Sequence, residues 1–208
     1  MSQSRVWYRK GGLASWDYRF KYDPRSLNDL KIRKQWIIDV TQSLFSILKP
    51  FATPGNAEVG TFSQGDEAFL VQHDDPKYLE KLLQFLRSTD DVTDVTISLD
   101  LHCYEIDEQL QVKKLSLGNA GFLWLYINLD ETGQIYNPWE NYDPVTLMLS
   151  IDVNIYAPLL NETEQSLETA RMNAPILKGF LKRLEKELPF ELTDQDGPWY
   201  MLEYLEKM

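Results

Sequence analysis

A single cysteine, Cys103, leaves no partner for an intrachain disulfide, so oxidative staples play no part in holding this chain. Histidine is nearly as scarce. His73 and His102 are the only two, and without paired cysteines at ligand spacing a zinc centre has no donor set to draw on. Nowhere do about eighteen uncharged apolar residues follow one another, which excludes a membrane-spanning helix. Residues 1–23 also lack the apolar run of a signal peptide. Glycine-rich phosphate loops are absent. Basic charge is the remaining shortage: 21 lysines and arginines face 32 acidic residues, and the formal net charge of −11 repels phosphate backbones and anionic headgroups. These shortages lead us to expect a cytoplasmic protein, without nucleic-acid or membrane partners and without a cofactor.

What is present is core-forming material, with 43% of residues hydrophobic and 12% aromatic, enough for a globular domain. The plainest pattern lies in mid-chain. Residues 94–105 put Val95, Ile97, Leu99, Leu101 and Cys103 on one face of a strand, and Thr96, Ser98, Asp100, His102 and Tyr104 on the other. Residues 121–130 do the same with Leu123, Leu125, Ile127 and Leu129 against Phe122, Trp124, Tyr126, Asn128 and Asp130. Alternation over 145–157 sets Val145 through Ala157 against Thr146, Met148, Ser150, Asp152, Asn154 and Tyr156. A weaker strand at 109–117 shifts parity between Val112 and Leu115, and Lys113 and Lys114 at the shift favour a protected edge over a bulge.

The flanks read differently. Residues 16–22 alternate Trp16, Tyr18, Phe20 and Tyr22 with Asp17, Arg19 and Lys21, which predicts a strand with one aromatic face. Apolar spacings of three and four predict a helix from about Ser26 to Leu48 and a second from Asp75-Pro76 to Ser88. Between them, 52–66 is rich in Gly, Pro, Ser and Asn and reads as a loop, with a short strand at 67–72. Glu131-Thr132-Gly133 reads as a turn, followed by a polar, aromatic excursion at 134–144. Towards the end, Asn161 or Thr163 caps a helix to about Met172, and Asn173 with Pro175 starts another that Pro189 stops. Residues 198–208 add a final helical turn or two, with Trp199, Leu202 and Leu205 inward. Strands in mid-chain flanked by helices at both ends define a single α+β domain over residues 1–208, with a largely antiparallel twisted sheet and helices packed on one face.

If the aliphatic positions are spent on the core, the opposite face carries Asp100, His102, Tyr104, Trp124, Tyr126, Asn128, Asp152, Asn154 and Tyr156. That mixture is too polar for a second core and too aromatic for an ordinary wetted surface, as expected of a binding face. Tyr136, Trp139 and Tyr142 in the excursion are further anchors. The competing reading is that cross-strand aromatic pairs merely stabilise the sheet, or that the aromatic strand near the amino terminus covers this face.

Catalytic and metal motifs fall short. His102 beside Asp100 is the one pairing that suits acid–base chemistry, but Cys103 points the other way, which speaks against a Cys-His dyad. The triplet His73-Asp74-Asp75 is better read as the start of a helix than as metal ligands. Residues 130–134 resemble the opening of a calcium loop with its glycine too early, and 60–65 resemble a nucleophile elbow with the wrong spacing. Carboxylates such as Glu105, Asp107 and Glu108 are too abundant to be diagnostic.

The expectation is therefore a non-enzymatic, acidic protein-interaction module with a basic partner; a bacterial toxin-neutralising, immunity-like protein has this style of composition. The alternative is a small-molecule-binding protein or hydrolase-type enzyme with a pocket on the polar and aromatic face, gathering Asp100, His102 and Asp152. A third reading has that face forming a homodimer.

Overall fold

Strict alternation forces one side of each central strand into the core, and those strands organise the computed structural model. It describes residues 7–107, 109, 111–137, 139, 142–160 and 163–208, apart from the side chains of residues 66 and 67. Seven strands form one sheet: β1 (Arg9–Phe20), β2 (Ala52–Thr61), β3 (Gly65–Val71), β4 (Val92–Ile106), β5 (Val112–Ile127), β6 (Val145–Val153) and β7 (Phe190–Asp196). Their order is β3-β2-β4-β5-β6-β1-β7, and every neighbouring pair is antiparallel. Among the described residues four α-helices accompany them: α1 (Leu30–Ile47), α2 (Tyr78–Ser88), α3 (Glu164–Glu187) and α4 (Trp199–Lys207). The protein is α+β with an antiparallel sheet.

The aliphatic positions of β4, β5 and β6 share one buried cluster with Ile37, Leu44 and Ile47 of α1, Leu82 and Leu86 of α2, and Leu177, Phe180 and Leu184 of α3. Trp16 and Tyr18 of β1 join that cluster, so the aromatic face of the first strand points into the core and does not lie over the opposite side of the sheet. Each side chain of this kind contributes about 1.5–3 kcal/mol when fully buried, and the dry face accordingly dominates the stabilising terms. Cys103 lies within it, 3.6 Å from the Tyr156 hydroxyl, and burial pushes the thiol pKa up to about 11.

Several elements depart from the sequence expectation for identifiable reasons. Residues 52–61 form a strand and not a loop. β2 runs along β4 with small residues where a neighbour leans across: a Cβ on Gly55 would collide with Ser98, and one on Gly60 with the Asp94 carboxylate. Pro54 sits at a shift of register between Pro54 and Ala57, where the ladder is already interrupted. Residues 109–117 are not a separate strand, because β5 runs unbroken from Val112 to Ile127. Its irregularity falls at Asn119 (φ 47°), opposite the Leu99/Leu101 shift in β4, instead of between Val112 and Leu115. Residues 112–117 do behave as an edge, since β6 pairs with β5 only from Gly121 onward.

At the carboxy-terminal end, α3 passes through Pro175 without a break and spans 24 residues. Thr163 and Ser166 cap it reciprocally, while Asn161 lies outside the described residues. Asn173 starts nothing: its amide accepts from Tyr104 N at 2.8 Å and donates to Tyr104 O at 2.6 Å, completing the edge of β4 beyond the end of β2. The segment after Pro189 is strand β7, legible only through Phe190, because the rest of it is exposed or half-buried and polar. In α4 the buried residues are Met201 and Leu205, while Trp199 is 68% exposed instead of facing inward.

Candidate functional site

Among the described residues the helices pack into the core cluster and none lies over the sheet's second face, whose composition follows from register. Three rows of side chains cross it. One runs Glu58–Thr96–Trp124–Met148–Asp17–Asp194 through six strands, each residue opposite the next. A second runs Gly60–Asp94–Tyr126–Thr146–Arg19–Glu191, and a third Ser98–Phe122–Ser150–Ser15–Asp196. The column on β5 is therefore Phe122, Trp124 and Tyr126, with carboxylates on both flanks. Trp124 and Tyr126 contact each other with ring centroids 5.2 Å apart. A groove of about 700 Å³ lies over the β2 side of this column, lined by Glu58, Phe62, Asp94, Trp124, Tyr126 and Met148 among others.

The flanks carry unequal electrostatic strain. Asp17 is half-buried and faces Asp194 and Asp196, and burial followed by those two charges raises its carboxyl above the ordinary 3.8. Among the described residues no cation pairs with Glu58, Asp17, Asp194 or Asp196. Arg19, one row away, is engaged by Glu191 at 2.6 Å. Because the folded carboxyl of Asp17 is raised, its favourable contribution is complete below pH 3.8 and is lost as pH climbs through the folded value. Asp17→Asn is therefore expected to raise the thermal midpoint at pH 7, and the gain should vanish near pH 3; an equal gain at both pH values would remove the electrostatic explanation.

The residues singled out from sequence do not all stand together. Trp124, Tyr126 and Asn128 meet at the groove, where the Tyr126 hydroxyl donates to Asn128 Oδ1 (3.1 Å) and Asn128 Nδ2 donates to Tyr136 O (2.7 Å). Tyr136 and Trp139 are exposed in the excursion that leaves from there, and Trp139 packs edge-on against Tyr142 with centroids 5.7 Å apart. Asp100, His102 and Asp152 lie towards the other end of the face in holding roles. Asp100 accepts from Asn119 N at 2.9 Å, and Asp152 accepts from Gly12 N at 2.9 Å and pairs with Arg9 at 3.6 Å. Both ring nitrogens of His102 are occupied, by Thr53 Oγ1 at 2.8 Å and Pro50 O at 3.1 Å. Residues 7–12 close that end: Trp7 reaches Glu105 at 2.8 Å, and Arg9 bonds the carbonyls of Gly118 and Asn119. Tyr104 is half-buried, its backbone clamped by Asn173.

Asn154 and Tyr156 are a correction. β6 ends at Val153, and the chain then turns, so both residues are fully buried and not on the open face. Asn154 receives Tyr8 N at 2.7 Å, and Tyr156 packs near Phe51, its phenol pushed far above the ordinary value by burial. Alternation continued through 154–157 in sequence, but it reports burial on one side only while a strand persists.

Sequence reasoning missed Asp17, Glu58, Asp194 and Asp196 as parts of this surface. Asp17 had a signal, lying between Trp16 and Tyr18 on the polar parity of its strand. Glu58 was hidden in a segment that reads as a loop, and Asp194 and Asp196 in one with a single buried anchor.

Residues 130–134 form the turn that the sequence predicts. Asp130 holds Thr132 N and Gln134 N at 2.8 and 3.0 Å and Gly133 has φ 74°, while Ser63 sits in the β2–β3 connection with its N–H on Asp91. The helix expected from Asp75 starts at Tyr78 with Lys77 at its N-cap and no side-chain cap, so neither Asp74 nor Asp75 caps it; Asp75 accepts from Lys77 N at 2.8 Å one step earlier. Asp107 bonds the backbone of Gln109 and Gln111, both at 2.9 Å, and Glu108 lies outside the described residues. Among the described residues no three His, Cys, Asp or Glu side chains gather as a metal would need. No helix among them is long and apolar enough to cross a membrane.

Fold and site together define an α+β protein with one seven-stranded antiparallel sheet, helices on one side and an open, acid-flanked aromatic face on the other. In comparisons with known proteins, no family model, curated protein or solved structure matches the chain.

Proposed function

We propose that the protein is a cytoplasmic, non-enzymatic interaction module that binds a basic protein through its open sheet face; neutralising a bacterial toxin is one task of this kind. The observation that carries the reading is the row Glu58–Thr96–Trp124–Met148–Asp17–Asp194, an aromatic and thioether centre with carboxylates to either side that no cation among the described residues pairs with. Tyrosine, tryptophan and methionine supply contact area, and a ring of one charge sign steers a partner of the other. The roles of Asp100, Asp152 and His102 support it too, because each is engaged in holding backbone or a neighbouring strand.

A homodimer through this face would set carboxylate flanks against one another, which disfavours self-association. The protein is expected to elute as a monomer at low ionic strength, where such repulsion is least screened. A dimer whose dissociation follows Trp124→Ala would reverse this part of the reading. The test of the main reading is capture of a partner from extract of the native cell, identified by mass spectrometry, then titration of that partner against the wild type and the Trp124→Ala/Tyr126→Ala protein. Equal affinity for both would refute it.

A further inference from the structure

Resting on that reading, the geometry points to the form of the partner's contact: we infer that the open face receives one amphipathic α-helix laid across the strands, with a cationic group near each end and an apolar side chain at its middle.

Glu58 on β2 and Asp17 on β1 lie in one row, separated by four strand spacings with Trp124 midway. At about 4.8 Å per spacing the carboxylate columns stand roughly 19 Å apart. Along the strands, the column from Phe122 to Tyr126 spans four residue rises, about 14 Å. A helix is about 10–12 Å across and rises 1.5 Å per residue, so one helix fills the width of the aromatic column, and about thirteen residues carry it from one acidic flank to the other. An extended peptide on the same path would leave much of the column uncovered.

Charge complementarity selects the helix's ends. Burial, followed by the charges of Asp194 and Asp196, raises the Asp17 carboxyl, and among the described residues no cation pairs with any of the three. On the other flank Glu58 is exposed at the groove. A lysine or arginine at each end of the helix neutralises both flanks, while its central leucine or methionine meets Trp124 and Met148. Cation–π contact of a long basic side chain with Trp124 or Tyr126 adds to the same selection.

The test uses two stapled helical peptides of identical composition, each with a central leucine and two lysine pairs on the leucine face. The pairs are about thirteen residues apart in one peptide and about seven in the other, and calorimetry at low ionic strength reads the dissociation constants. The wide-spaced peptide is expected to bind about tenfold tighter. Glu58→Gln on one flank, or Asp17→Asn with Asp194→Asn on the other, should each abolish that preference without loss of fold by circular dichroism. Equal binding of the two peptides, still lost on Trp124→Ala/Tyr126→Ala, overturns the spanning helix and leaves the binding face standing. Tighter binding by a proline-spaced extended peptide of the same charge also overturns the helix. Failure of every cationic peptide to bind overturns the inference, and the function with it if the native partner is indifferent to Trp124 and Tyr126.

Discussion

Ile151→Asp unfolds the protein. Ile151 lies at the centre of the dry face, fully excluded from solvent, opposite Gly121 on β5 and Ala14 on β1. Both flanking strands close over it, leaving no water to solvate a carboxylate and, in an aliphatic cluster, no donor to receive one. The aspartate must either take up a proton at neutral pH or stay charged in a low dielectric, and the lost methyl groups leave a void as well. A penalty above about 4 kcal/mol is comparable to the whole stability of many domains. Thr146→Asp is the matched control. It sits on the same strand but on the open face, half-exposed and opposite Arg19, so it should fold. Circular dichroism and urea denaturation of the two variants decide the matter. A folded Ile151→Asp with an unfolded Thr146→Asp would mean that the two sides of the sheet are reversed.

The second large effect is on binding. Removing the rings of Trp124 and Tyr126 takes away the middle of the proposed contact, and central aromatic anchors of this kind carry 2 kcal/mol or more, so the pair together should weaken the partner by about 30-fold or more. Stability should fall by only about 1–2 kcal/mol, because both rings are partly exposed and no helix among the described residues packs on them. Trp16→Ala gives the scale for a core ring. Trp16 is 2% exposed inside the cluster, and its loss should cost about 3–5 kcal/mol. If the Trp124→Ala/Tyr126→Ala protein loses as much stability as Trp16→Ala, the rings belong to a second core and the binding role falls.

How far the sequence could be read depended on how each segment is buried. β4, β5 and β6 were plain because one side of each is dry along its length, so the period of two is written in Leu, Ile and Val. α2 was plain for the equivalent reason at helical period. β2 was hidden, since Gly55 and Gly60 stand where Ser98 and Asp94 lean across and Pro54 sits at a shift of register, an arrangement set by a strand some forty residues away in the chain. β7 is an edge strand with little to bury beyond Phe190, so burial left almost no pattern in it. Pro175 reads as a helix start on local grounds, yet packing of Ala174, Leu177 and Phe180 carries α3 straight through it.

The candidate surface divides in the same way. Trp124 and Tyr126 were visible as the even positions of a strand whose odd positions are aliphatic, but the acidic flanks were not. Asp17, Glu58 and Asp194 come from segments far apart in the chain, and they share a row only because β2, β1 and β7 dock where they do.

By itself, then, the amino-acid order determined which side of each central strand is dry, that helices flank the sheet, and that one thiol is buried, all consequences of local periodicity and the cost of wetting aliphatic side chains. Only the tertiary structure decided that Asn154 and Tyr156 turn inward, that His102 is held by Thr53 and Pro50, and that carboxylates from separate strands border one aromatic column. The first depends on where β6 stops pairing and the other two on register between strands, and pairing and register are properties of two segments together that neither carries alone.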